Sequence, residues 1–129
     1  MDGGDDMKFN QSQEMAIKHK DGPMLLLAGP GSGKTTVLTH RIKYMIREHG
    51  IAPEHILVIT FTKAAAGEMK ERFRKLCPAV NGVTFGTFHS VFFWMLRNAY
   101  NYTGANIVTD SEKYDVIRES IDRHGFRYD

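Results

Sequence analysis

The chain has 129 residues, 42% of them hydrophobic and 25% charged, a globular mixture that excludes wholesale disorder and collagen-like repeats. One cysteine, Cys77, excludes an internal disulfide framework and a multi-cysteine zinc site, and points to a reducing compartment. The net charge of +2 hides an uneven distribution: residues 34–75 carry nine Lys/Arg against four Glu, while Asp2, Asp5 and Asp6 make the start acidic. A basic stretch suits polyanionic partners. Apolar runs such as Met24–Ala28 and Ile56–Ile59 fall far short of the roughly 20 residues that span a bilayer, and MDGGDD is unlike a signal peptide. The expectation is a soluble, cytoplasmic chain with no membrane partner.

In chain order, Asn10 followed by Gln13 has the spacing of a capping box and predicts a short helix to about Lys20, with Ala16 and Ile17 inward. Asp21-Gly22-Pro23 forces a turn. Met24–Ala28 reads as a buried strand, followed by a glycine-rich loop. From Lys34 to His49, Leu38, Ile42, Met45, Ile46 and His49 recur at helical spacing, and Gly50 ends the helix. Ile56–Thr60 reads as a strand buried on both faces. Ala64–Leu76 is helical, with Ala65, Met69, Phe73 and Leu76 on one side, and Val83–Phe85 is a short strand. Thr87–Ala99 is apolar enough to predict a largely buried helix, with Trp94 as core packing. After a loop at Asn101–Asn106, Ser111–His124 reads as a charged amphipathic helix closed by Gly125. Alternation of strand and helix predicts the α/β class, a parallel sheet with crossover helices.

The segment AGPGSGKTT, residues 28–36, lies between a predicted strand and a predicted helix, where a phosphate loop belongs. Gly29, Gly31 and Gly33 let the backbone turn so that successive N–H groups point at phosphate oxygens, with Pro30 and Ser32 between them. The helix that begins near Gly33 adds its positive end. Lys34 supplies an ammonium for the β- and γ-phosphates, and Thr35 a hydroxyl for Mg²⁺. These two are the candidate catalytic residues, and Thr35 the candidate metal ligand. Ala28 stands where the strict pattern has glycine, at the strand's end, where alanine fits. Binding of a nucleoside triphosphate with Mg²⁺ follows from this loop. The histidines show no metal-ligand spacing, and His89 beside Ser90 lacks the acid partner a hydrolytic triad needs.

A phosphate loop does not select among kinases, GTPases, transporters and motors. FNQSQEMAI (9–17), TFTKAAAGEMKERF (60–73) and VTFGTFHS (83–90) narrow the choice. With them the chain resembles the N-terminal end of the UvrD/Rep-type superfamily 1 DNA helicases over almost its whole length. The resemblance implies an incomplete P-loop NTPase (RecA-like) fold, with residues 1–107 in the first motor domain and 108–129 opening an inserted helical subdomain. It implies that Gln13, in a Q motif, reads the adenine edge, and that Thr36 belongs to the nucleotide site, where many relatives have arginine. Residues 60–73 resemble motif Ia. Thr60, Thr62 and Lys63 are thereby implied to meet phosphates of single-stranded DNA and Phe61 a base, although many relatives have Asn-Lys where this chain has Lys63-Ala64. Residues 83–90 resemble motif Ib, implying DNA contacts from Thr87, Phe88 and His89.

The same resemblance implies an ATP-dependent 3′–5′ helicase or translocase as the parent protein. It also implies partners beyond these residues: the Asp-Glu pair of Walker B, the second motor domain and the γ-phosphate arginines. The chain therefore reads as a fragment that binds ATP and DNA without unwinding. A stand-alone repair helicase and the motor subunit of a helicase–nuclease share these motifs. Two readings from other classes stay open: a non-catalytic nucleotide- or nucleic-acid-binding module, and a small P-loop phosphotransferase.

Overall fold

The computed structural model describes residues 8–125, so Asp2, Asp5 and Asp6 lie outside the described residues. The chain divides into two compact units, Met1–Phe88 and His89–Asp129. The first unit holds α1 (Gln11–Lys18), α2 (Lys34–Arg47), β1 (Leu57–Thr60), α3 (Lys63–Leu76) and β2 (Thr84–Thr87). The helix α4 (Phe88–Tyr100) starts at the division, and α5 (Asp110–His124) belongs to the second unit.

The two strands pair in parallel, joined through α3 in a β-α-β unit, with Leu57 opposite Thr84 and Thr60 opposite Thr87. The mixed helix and strand composition with parallel pairing is the α/β class. The core of the unit gathers Ile42 of α2, Ile56 before β1, and Phe73 and Cys77 of α3 and its cap. Phe85 of β2 meets Phe73 with ring centroids 5.9 Å apart. Burial pushes the Cys77 thiol pKa up, against the smaller opposing pull of Lys43 and Arg47. A second cluster sits on another face of α2, where Val37 packs on Ala16 and Ile17 of α1, with Phe9 and Tyr44 beside them. Thus α2 carries two apolar faces, one for α1 and one for the sheet and α3.

Helix ends follow the sequence. Asn10 accepts from the Gln13 N–H while Gln13 reaches back to the Asn10 N–H, a reciprocal capping box. Thr62 caps α3 by accepting from the Ala65 N–H. The second unit repeats the device: Thr109 caps α5, and its N–H and hydroxyl both donate to the Glu112 carboxylate, at 2.8 and 2.7 Å. Gly125 closes that helix.

Those bonds from the Thr109 backbone and hydroxyl hold the Glu112 carboxyl below its ordinary pKa. A depressed folded-state value means that the cap contributes stability above the unfolded-chain value of about 4.3, and loses it as pH falls through the folded one. Far-ultraviolet circular dichroism during acid titration should therefore show a helix loss in the native chain that Glu112→Ala lacks. Coincident titration curves would remove the carboxylate from the cap.

Four expectations are corrected. Met24–Ala28 is not a buried strand: among the described residues it pairs with no strand, and Leu25 and Leu27 are 85% and 84% exposed. An apolar segment becomes a sheet strand only where a neighbour supplies hydrogen-bond partners, and the described sheet has two strands, neither of which is this one. For the same reason β1 is not buried on both faces: Leu57 is exposed and Val58 to Thr60 are half-buried. The helix α4 is not largely buried either; only its Val91 is, and Trp94 is 63% exposed rather than core. Burial requires a second apolar face, which composition alone does not provide. On α3 the inward alanine is Ala66, not Ala65, since the stripe runs through Ala66, Met69 and Phe73. No helix among the described residues is long and apolar enough to cross a membrane.

Candidate functional site

The loop from Ala28 to Gly33 turns tightly into α2. Gly31 and Gly33 hold φ of 73° and 75°, left-handed values that cost an L side chain roughly 1–2 kcal/mol. Gly33 is the N-cap residue of α2 and offers no side chain, so the first amides of that helix have no side-chain cap. No acidic residue stands in its first turn. The Ser32 N–H donates to the Gly29 carbonyl at 3.3 Å, closing the turn. The Ser32 hydroxyl oxygen is buried and has no hydrogen-bond partner. Lys34 is exposed and folds back on the loop, its Nζ donating to the carbonyls of Ala28 and Gly29 at 3.4 Å each. Thr35 and Thr36 are half-buried on the first turn; their carbonyls accept from the Thr39 hydroxyl at 3.1 and 2.9 Å, and Thr39 is buried.

These features fit a polyphosphate. An uncapped helix start, two left-handed glycines, an ammonium held only by long bonds and an orphaned hydroxyl all seek negative oxygen atoms. Thr35, the candidate metal ligand, follows Lys34 on the first turn of α2.

Gln13 reaches the loop from α1. Its Nε2 donates to the Ser32 carbonyl at 3.0 Å, while its Oε1 accepts the Asn10 N–H at 2.9 Å. Opposite partners at the two ends fix which end is oxygen. One N–H and one lone pair of the amide are left, a donor beside an acceptor. So Gln13, Ala28, Gly29, Pro30, Gly31, Ser32, Gly33, Lys34, Thr35 and Thr36 form one continuous neighbourhood around the turn.

The second group of predicted residues lies at the C-terminal ends of the parallel strands. Because Thr60 is paired with Thr87, Phe61–Lys63 and Phe88 leave the sheet at the same end. Phe61 is 91% exposed, a free aromatic face. Thr62 and Lys63 are exposed at the start of α3. The Thr62 oxygen accepts the Ala65 N–H, leaving its own hydrogen to donate. Thr60 differs: its hydroxyl donates to the Thr62 carbonyl at 3.0 Å and approaches the Gly86 carbonyl at 3.4 Å, so it serves the loop's shape. Thr87 is buried, and Phe88 is half exposed. His89, exposed on the first turn of α4, falls in the second unit.

Sequence reasoning missed Arg41. Its Nη1 donates to the carbonyls of Ala16 and His19, both at 2.6 Å, and burial lowers the guanidinium pKa. The available signal was its place on α2 one turn after Val37 and three residues before Tyr44, on the face that meets α1.

Comparisons with known proteins accord with this geometry. The family described as UvrD/REP helicase N-terminal domain matches residues 9–125. The chain is 45% identical over 115 residues to the ATP-dependent DNA helicase PcrA of Bacillus subtilis (strain 168), covering 85% of this chain and 16% of that protein. It is 41% identical over 118 residues to the PcrA of Staphylococcus aureus (strain Mu50 / ATCC 700699), covering 88% and 16%. Against the putative ATP-dependent DNA helicase YjcD of Bacillus subtilis (strain 168), identity is 45% over 124 residues, covering 91% and 16%. The chain thus spans about one sixth of the length of these curated relatives.

Proposed function

Because the chain belongs to the UvrD/REP helicase family, we propose that it is the ATP-binding and DNA-contacting start of an ATP-dependent 3′–5′ DNA helicase or translocase. The carrying observation is the loop at 28–36, with left-handed glycines, an uncapped α2 and the Gln13 amide pinned on Ser32. In this reading the amides at the start of α2 and the Lys34 ammonium take the phosphate oxygens, and the free Ser32 hydroxyl finds its partner there. The remaining donor and acceptor of Gln13 match N7 and N6 of adenine. Thr35 gives its hydroxyl to Mg²⁺, which when bound neutralises phosphate charge. Residues 1–107 form part of the first motor domain and 108–129 the start of an inserted subdomain. Hydrolysis and movement along DNA belong to the full-length protein, with its second motor domain as the partner.

The strand ends supply the DNA grip. Phe61 offers a stacking face, Thr62 a hydroxyl hydrogen and Lys63 a charge, in line with the usual use of C-terminal strand ends as ligand sites. Phe88 extends the grip, while Thr60 and Thr87 shape the backbone behind it; His89, in the second unit, is a separate proposed DNA contact that rests on the resemblance to motif Ib.

Titrating the chain with a labelled single-stranded oligonucleotide across a salt series tests this reading. Affinity should fall linearly on a logarithmic plot, and Lys63→Ala should reduce the slope by about 0.7, the value for one phosphate contact on a single strand. An unchanged slope removes Lys63 from the phosphate track. No binding at low salt removes the DNA reading.

A further inference from the structure

The bonds that fix α1 lie at both of its ends, and only one end meets the phosphate loop. The helix has eight residues, well below the ~12–15 at which an isolated helix is even marginal in water. Its place is therefore set by what holds it. Ala16 and Ile17 rest on Val37 of α2. Past them, Arg41 of α2 turns one guanidinium nitrogen on two carbonyls, those of Ala16 and His19. These belong to the last turn and cap of α1, where helix carbonyls lack intrahelical partners. A single Nη1 carries two hydrogens, and both are used. Ala16 and Val37 are each 2% exposed, so the clasp closes over packed side chains.

Gln13 sits three residues before Ala16 on this helix, about 4.5 Å along the axis. Any pivot of α1 on Val37 displaces the Gln13 amide from the Ser32 carbonyl. It would also rotate the free donor and acceptor of the amide.

We infer that Arg41 is a positioning residue for base selectivity: by clasping the C-terminal carbonyls of α1, it keeps the Gln13 amide over the phosphate loop in one orientation without itself touching nucleotide. The inference rests on the reading of the loop as an ATP site with Gln13 at the base. A donor beside an acceptor suits adenine, which presents N7 and the N6 amino group. It mismatches guanine, whose O6 and N7 both accept.

The test is competition of ATP, GTP and inorganic tripolyphosphate against fluorescently labelled ATP with Mg²⁺, using the whole 129-residue chain. Arg41→Ala should leave tripolyphosphate affinity unchanged and lower the preference for ATP over both competitors about tenfold, the scale of one lost bidentate base contact. Arg41→Lys, which keeps a charged donor on a flexible stem, should restore most of that preference. Gln13→Ala alone and Gln13→Ala with Arg41→Ala should give the same preference, because Arg41 acts through Gln13.

Equal loss of ATP and tripolyphosphate binding in Arg41→Ala would mean that the clasp only supports the fold, and overturns the inference. So does an ATP preference that survives the substitution, or additive effects in the double variant. A native chain that binds ATP no better than tripolyphosphate overturns the adenine reading itself, and the inference with it. Arg41→Met, which keeps an unbranched stem but has no donor for the Ala16 and His19 carbonyls, carries the comparison if the alanine variant fails to fold.

Discussion

Replacing Lys34 with alanine should lower affinity for ATP about 100-fold, since two charged hydrogen bonds to phosphate at roughly 1.5 kcal/mol each are lost. The fold should not notice. Lys34 is exposed, its only bonds are long ones to the Ala28 and Gly29 carbonyls, and it opens α2, where alanine has the best helix propensity. Competition with labelled ATP reads the affinity, and a thermal melt of the same variant reads the fold. Unchanged affinity with an unchanged melt would remove the ammonium from the phosphate site. A lowered melting temperature would instead assign Lys34 to holding the loop closed.

Phe73→Ala should have the largest effect on stability, a loss of about 3–5 kcal/mol, the range for emptying a buried phenylalanine site. Phe73 is 3% exposed and stands among Ile42, Ile56 and Cys77, so the void would open between α2, α3 and the sheet. Phe85 would lose its ring partner. Domains of ordinary stability have only about 5–15 kcal/mol in total, so the variant should be partly unfolded at 37 °C. Urea denaturation measures the difference directly. A loss below about 1 kcal/mol would mean that the surrounding helices collapse into the gap, and that the core is not built around this ring.

Local rules written in the sequence carried most of the backbone. Asn10 with Gln13 and Gly125 after His124 mark helix ends by chemistry confined to one turn, and these ends stand where the spacing put them, while Thr62 starts α3 at Lys63, one residue before the expected Ala64. The α5 box with Thr109 and Glu112 obeys the same rule but moves the start one residue, to Asp110. Burial was less legible because it depends on the partner. MLLLA and the FHSVFFWML stretch of α4 are apolar enough for a core, yet Leu25, Leu27 and Trp94 are exposed because nothing among the described residues covers them. Periodicity also chose one face of α2, through Ile42, Met45 and Ile46. The second face at Val37, which meets α1, is short and includes a charged residue.

The candidate site was legible in its glycines and its lysine, since a phosphate loop is a contiguous motif with a local conformation. Its geometry across the chain was not. That the Gln13 amide spends one donor and one acceptor before any ligand arrives depends on Ser32, nineteen residues away. That Arg41 is spent on carbonyls of α1 depends on residues 25 and 22 positions earlier. An arginine between Val37 and Tyr44 reads as part of a solvated face until the neighbouring helix is in place. Of the strand-end hydroxyls, only the three-dimensional arrangement separates Thr62, with a hydrogen to give, from Thr60, whose hydrogen is taken.

Three helices close their own N-termini with Asn10, Thr62 and Thr109, and α2 leaves its own to Gly33. The start of α2 thus keeps backbone donors free of any side-chain cap, and with them a thermodynamic link. Whatever anion takes those amides acts as the missing cap, so its binding free energy and the stability of α2 are one quantity seen from two sides. Since α2 also carries the faces that seat α1 and the sheet, that link reaches every packed element of the first unit. Occupancy of a loop of a few residues thereby sets how firmly a whole unit holds together.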